Sequence, residues 1–112
     1  MGLFVSIIRW TPEQAEAVKE RMMSVANGTA PKAVMDAIGK MKYLADVISP
    51  QNGFELAILD VSDETWVDGS LLADWMGEVA TLESYPVCSW EHYLEVQKRR
   101  SDGGTPKKSR RK

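Results

Sequence analysis

The sequence predicts one α+β domain, a four-stranded antiparallel sheet with helices on one of its faces. Three observations carry that expectation. Four short apolar runs, at residues 3–10, 40–48, 54–61 and 81–90, have the composition of strands. Amphipathic segments separate the first run from the second and the third from the fourth. A chain of 112 residues is about the size of one domain built around one core.

Each element has a local reason. Residues 3–10 join β-branched and aromatic side chains without a break, as in a strand buried on both faces. Thr11, Pro12 and Gln14 then announce a helix, with a capping residue, a proline suited to the first turn, and capping-box spacing. Ala15, Val18, Met22, Val25 and Ala26 form its apolar stripe, and Asn27-Gly28 stops it. Residues 31–39, led by a proline, place Val34, Ala37 and Ile38 at helical spacing. In 40–48 the alternation sets Met41, Tyr43, Ala45 and Val47 on one face and Lys42, Leu44, Asp46 and Ile48 on the other. The turn-forming SPQNG at 49–53 joins this run to 54–61 as a hairpin. A helix from residue 62 or 63 follows, with Val67, Leu71, Trp75 and Val79 four apart and Gly69 as a potential break. The run 81–90 holds Pro86, which assigns it to a sheet edge or a bulge, and 91–98 reads as a terminal helical turn. The order β, α, short helix, β, β, α, β is the split βαβ arrangement, also called ferredoxin-like.

Two helices cover one face of such a sheet, yet the strands stay apolar on both sides: Phe4 and Ile8 against Val5 and Ile7, or Phe54, Leu56 and Ile58 against Ala57 and Leu59. A second copy of the sheet is the simplest cover, so a sheet-to-sheet homodimer is expected. With the opening GLFVSIIRWTPEQAEAVKERM, the hairpin SPQNGFELAILDVSDE and the stretch LLADWMGEVATLESYPV, the chain resembles the dimeric α+β barrel superfamily. Most of residues 2–96 looks like a small, largely uncharacterised family within it. The resemblance implies two ferredoxin-like subunits packed sheet to sheet, each with a cleft between sheet and helices lined by a few polar groups. Members include cofactor-free monooxygenases, haem-degrading enzymes and lactone isomerases, so the fold does not choose a reaction.

Charge divides the chain in two. Residues 1–97 carry six basic and fifteen acidic side chains, and 98–112 carry eight basic and one acidic. The stretch 99–112 has no apolar residue, so it lacks the burial that offsets ordering entropy. The expected organisation is a domain over 1–98 and a disordered basic tail over 99–112. An acidic body repels nucleic acid and anionic lipid; any polyanion would be met by Lys98, Arg99, Arg100, Lys107, Lys108, Arg110, Arg111 and Lys112. The single cysteine, Cys88, leaves no disulfide framework and fits a reducing cytoplasm, while no run approaches a membrane span and no targeting segment is read.

No P-loop, GxGxxG, HExxH, paired CxxC or GxSxG motif is present, so no cofactor, metal or hydrolase chemistry has a motif behind it. Isolated groups remain. Cys88 and His92, four apart, would lie roughly 13 Å from each other along a strand, which leaves a core cysteine and a surface or sheet-end histidine. His92 with Glu91 and Glu95 makes a poor metal site, but it is the one side chain that ordinarily exchanges protons near neutrality. Arg9, Trp10, Tyr43, Asp46 and Trp90 are polar or amphipathic residues within or at the ends of apolar strands. Arg9 is expected either to pair with Asp46 or Asp60, or to hold a small anionic or aromatic ligand with Tyr43 against Trp10. Trp66, Trp75 and the methionines read as core, or as the lining of an adaptable pocket. Two functions follow: binding or conversion of a small organic molecule in the cleft, with Tyr43, Arg9 or His92 orienting it or moving a proton, and a non-catalytic interaction protein with a polyanion-binding tail.

Overall fold

A computed structural model describes residues 2–101, apart from the side chains of residues 63–66 and 68. Lys107, Lys108, Arg110, Arg111 and Lys112, and the Trp66 side chain, lie outside the described residues. The order is β1 (Gly2–Arg9), α1 (Ala15–Ala26), α2 (Lys32–Gly39), β2 (Lys42–Ser49), β3 (Phe54–Val61), α3 (Asp63–Gly77), β4 (Thr81–Val87) and α4 (Trp90–Arg99). The strands form one antiparallel sheet in the order β2-β3-β1-β4. Among the described residues no helix is long and apolar enough to cross a membrane.

Local chemistry explains most boundaries. Half of the expected capping box forms: the Gln14 side-chain oxygen accepts from Thr11 N at 3.0 Å. Its first turn is tight, with Ala15 N donating to Pro12 O, so α1 begins at Ala15 rather than beside Thr11. The β2–β3 hairpin closes with Asn52 bonded to Ser49 through both backbone and side chain. Gly53, at φ 68°, meets the end of β1: its carbonyl accepts from Trp10 N at 2.9 Å, and a Cβ there would stand 2.5 Å from the Trp10 oxygen. Only glycine fits that approach. Pro86 lies on an edge strand, where a missing N–H costs no ladder bond.

Three expectations are corrected. The alternation in β2 breaks, because a register shift between Tyr43 and Ala45 leaves Leu44 as the extra residue of a bulge. Gly69 does not interrupt α3. The last strand ends at Val87 instead of continuing to Trp90, because Ser89 turns the chain into α4: its side chain accepts from His92 N at 3.0 Å. Cys88 therefore sits in a connection and is exposed, not in the core.

The two sheet faces differ. Toward the helices, Ile8, Ala57, Leu59 and Val61 are buried. They belong to two clusters, one of Ile8, Val18, Met76 and Ala80, the other of Ala57, Leu59 and Val61. On the opposite face Leu3, Val5, Ile7, Leu56 and Ile58 remain partly exposed although β1 and β3 are the inner strands. At its edges Val47 is 59 % and Tyr85 48 % exposed. The helix α4 adds a second apolar surface, with Trp90, Tyr93 and Leu94 all exposed and the Trp90 and Tyr93 rings stacked at 5.3 Å.

Candidate functional site

The helix-facing side of the sheet holds a cavity of about 460 Å³. Its floor follows from strand register. One row across all four strands is made of Ser84, Ser6, Ala57 and Asp46, in β4, β1, β3 and β2. Three of these side chains are small. The flanking rows are larger: Leu82, Ile8, Glu55 and Ile48 on one side, Pro86, Phe4, Leu59 and Tyr43 on the other. The small row leaves a trough between them, which Met22 and Val25 of α1 and Leu72, Trp75 and Met76 of α3 wall in without filling. Such a volume is in the range of small-molecule pockets, which are mostly apolar with a few convergent polar groups.

The polar groups gather at the β2 end. Because of the bulge at Leu44, Tyr43 and Asp46 line the same cavity, and Glu55 joins them from β3. Glu55 and Asp46 stand side by side in the lining. Its carboxyl is pushed up to about 8, chiefly by burial, and further by its hydrogen bond with Asp46 and the negative charge of Asp46. It thus keeps its proton near neutral pH. Tyr43 is pushed up to about 12, again by burial first and then by the charges of Glu55 and Asp46, so its hydroxyl remains a donor. A protonated carboxyl beside a second carboxyl and a phenol is able to donate a hydrogen bond or exchange a proton at neutral pH.

The residues singled out from the sequence do not all meet here. Tyr43 lines the cavity. Arg9 does not: Ile8, its neighbour, faces the cavity, so Arg9 is on the opposite sheet face. There its Nε lies 2.9 Å from Glu83 Oε1, and the partner is Glu83 rather than Asp46 or Asp60. That guanidinium, with the Tyr85 hydroxyl, holds Glu83 below the usual carboxylate range. Trp10 packs against the cluster of Ile8, Val18, Met76 and Ala80, next to the cavity wall. Trp75 lies in that wall, with the Arg21 guanidinium 4.9 Å from its ring centroid. Arg21 is held by the Trp75 carbonyl at 2.6 Å and by Glu78 at 2.8 Å. Trp90 and His92 are exposed on α4. Among the described residues no three His, Cys, Asp or Glu side chains converge as metal ligands would.

Two members of the site were missed as such. Asp46 stands in the sequence group with Arg9, Trp10, Tyr43 and Trp90, but strict alternation puts it on the face opposite Tyr43, and its one stated role is pairing with Arg9. Glu55 was passed over inside an apolar strand. The available signal was its place in the row of alternate residues Glu55, Ala57, Leu59 and Val61, one carboxyl on an otherwise apolar face.

Curated proteins yield no match to this chain, and solved structures yield none. One family model does match: that of a domain of unknown function, DUF3303, over residues 2–101, a span that includes every strand and helix described above, and the chain belongs to that family.

Proposed function

We propose that this chain is a ferredoxin-like subunit of a homodimer of the dimeric α+β barrel type, and that it binds, and at its polar end converts, a small organic molecule in the cleft between sheet and helices. The observation that carries the reading is the row of small side chains, Ser84, Ser6 and Ala57, ending on Asp46. A row that served only packing would be filled by larger residues, since unfilled volume beneath a helix layer costs stability. Glu55 is the group that gives or takes a proton there, and Tyr43 orients the bound molecule through its hydroxyl. The sheet-to-sheet pairing is supported by the partly exposed Leu3, Val5, Ile7, Leu56 and Ile58 on the other face.

The cleft is tested with a neutral apolar dye such as Nile red and the full chain. The wild type enhances its emission, and Ser6→Phe, which fills the floor, abolishes the enhancement while circular dichroism stays native. Equal enhancement by both proteins refutes the cleft.

The alternative is polyanion contact through the basic terminus. It is favoured by the last turn of α4, where Lys98 and Arg99 carry the basic sequence back onto a helix. Binding to generic DNA that falls steeply with salt, and is lost in a chain stopped at Lys98, supports it; equal, negligible binding by both forms removes it.

A further inference from the structure

The charge composition of the cavity narrows its ligand. Among the described residues that line it, the ionisable groups are Tyr43, Asp46 and Glu55, and none is a lysine, arginine or histidine. The other polar side chains of the lining are neutral, the hydroxyls of Ser6, Ser70 and Ser84 and the indole of Trp75. Nearby cations are engaged elsewhere: Arg21 with Glu78 and the Trp75 carbonyl, Arg9 with Glu83 on the other face. An anionic ligand would therefore meet two carboxyl groups with no countercharge in an apolar trough, which is unfavourable on both Coulomb and desolvation grounds.

Resting on the cleft reading above, we propose that the ligand is a hydrophobic molecule with one cationic nitrogen, an amine, whose nitrogen sits between the Asp46 and Glu55 carboxyls beside Tyr43 and whose apolar body lies along Ser6 and Ala57. The ammonium supplies the countercharge the lining lacks, and each carboxyl accepts a charge-assisted hydrogen bond from it. The phenol ring of Tyr43 adds a face on which a cation rests. Facing Glu55 are Tyr43 and Asp46 from β2, Ile8 from β1, and the apolar walls of α1 and α3, so no other charged group in the described lining competes for the site.

A proton consequence follows. In the empty cleft Glu55 holds a proton near neutral pH. An ammonium placed beside it favours the ionised carboxylate, so the amine displaces that proton and binding releases it to buffer. Release approaches one proton per amine at pH 7 and declines above about pH 8, where Glu55 is already ionised.

The test is isothermal titration of the full chain with three probes of one shape: 2-(2-naphthyl)ethylamine, 2-(2-naphthyl)ethanol and 2-naphthylacetate. Each is titrated at pH 7 in two buffers of different ionisation enthalpy. The amine is expected to bind about tenfold or more tightly than the alcohol, with proton release seen for the amine alone, and the carboxylate is expected to bind weakest. The double variant Asp46→Asn, Glu55→Gln brings amine and alcohol to equal affinity, and Ser6→Phe abolishes amine binding. If the alcohol or carboxylate binds as well as the amine, the cationic preference is wrong and the cleft reading stands; if the amine binds without proton release, its nitrogen does not sit beside Glu55 and the proposed placement is overturned. If the amine still binds Ser6→Phe, it binds elsewhere and the proposal falls. If none of the three probes binds, the cleft reading itself fails and this inference with it.

Discussion

Replacing Glu55 by glutamine should change how stability depends on pH. A carboxyl at about 8 in the folded chain and at its ordinary 4.5 in the unfolded one binds more protons when folded throughout that interval. Stability from this group is therefore fully present below about pH 4.5 and is lost as pH rises through about 8. At about 1.4 kcal/mol for each tenfold change in proton affinity, the full displacement corresponds to at most about 5 kcal/mol. The site is open at the β2 edge, where Tyr43 is 39 % exposed and Asp46 also faces solvent. Water screens the pair there, and about 2 kcal/mol is the better expectation. Urea unfolding of wild type and Glu55→Gln at pH 5, 7 and 9 measures it. The wild type should lose about 2 kcal/mol over that range, and the variant should lose much less. Tyr43 does not confuse the result: its cost begins above its ordinary 10 and extends to about 12. Two curves that fall in parallel would show that Glu55 is not held protonated, and the reasoning about the cleft's electrostatics would be wrong.

Three further outcomes follow from other parts of the molecule. Gly53→Ala should cost about 1–3 kcal/mol in chemical denaturation, since it adds a Cβ 2.5 Å from the Trp10 oxygen at a positive φ; a loss under about 0.5 kcal/mol would mean the hairpin tip relaxes freely. Ser89→Ala removes the 3.0 Å bond to His92 N and should cost α4 about 0.5–2 kcal/mol, seen as faster amide exchange from Tyr93 onward with core amides unchanged. Unchanged exchange in α4 would show that the cap contributes nothing. Val47→Asp places a charge at a position 59 % exposed in the single chain, so it should leave that chain folded while abolishing a sheet-to-sheet dimer; a dimer persisting in sedimentation velocity refutes that pairing.

By itself the sequence determined the succession of elements, because the signals are local. Turn residues at 49–53, the proline on an edge strand, and the stripe containing Val18 and Met22 act through a few neighbouring residues, whatever the rest of the chain does. Tyr43, which lines the cavity, could be singled out for the same reason, a polar tip inside a strand. The order β2-β3-β1-β4 decided the rest. Whether Tyr43 and Asp46 share a face depends on one extra residue at Leu44, and a bulge is specified by how β2 settles on β3, not by its own alternation. Glu55 acquired its raised affinity for a proton only through the burial around it and, secondarily, through Asp46. The trough exists only because Ser84, Ser6 and Ala57, which are 78 and 51 positions apart in the chain at successive steps, fall into one row when three strands pair in register. Cross-strand register is a property of the assembled sheet, and no short-range pattern records it.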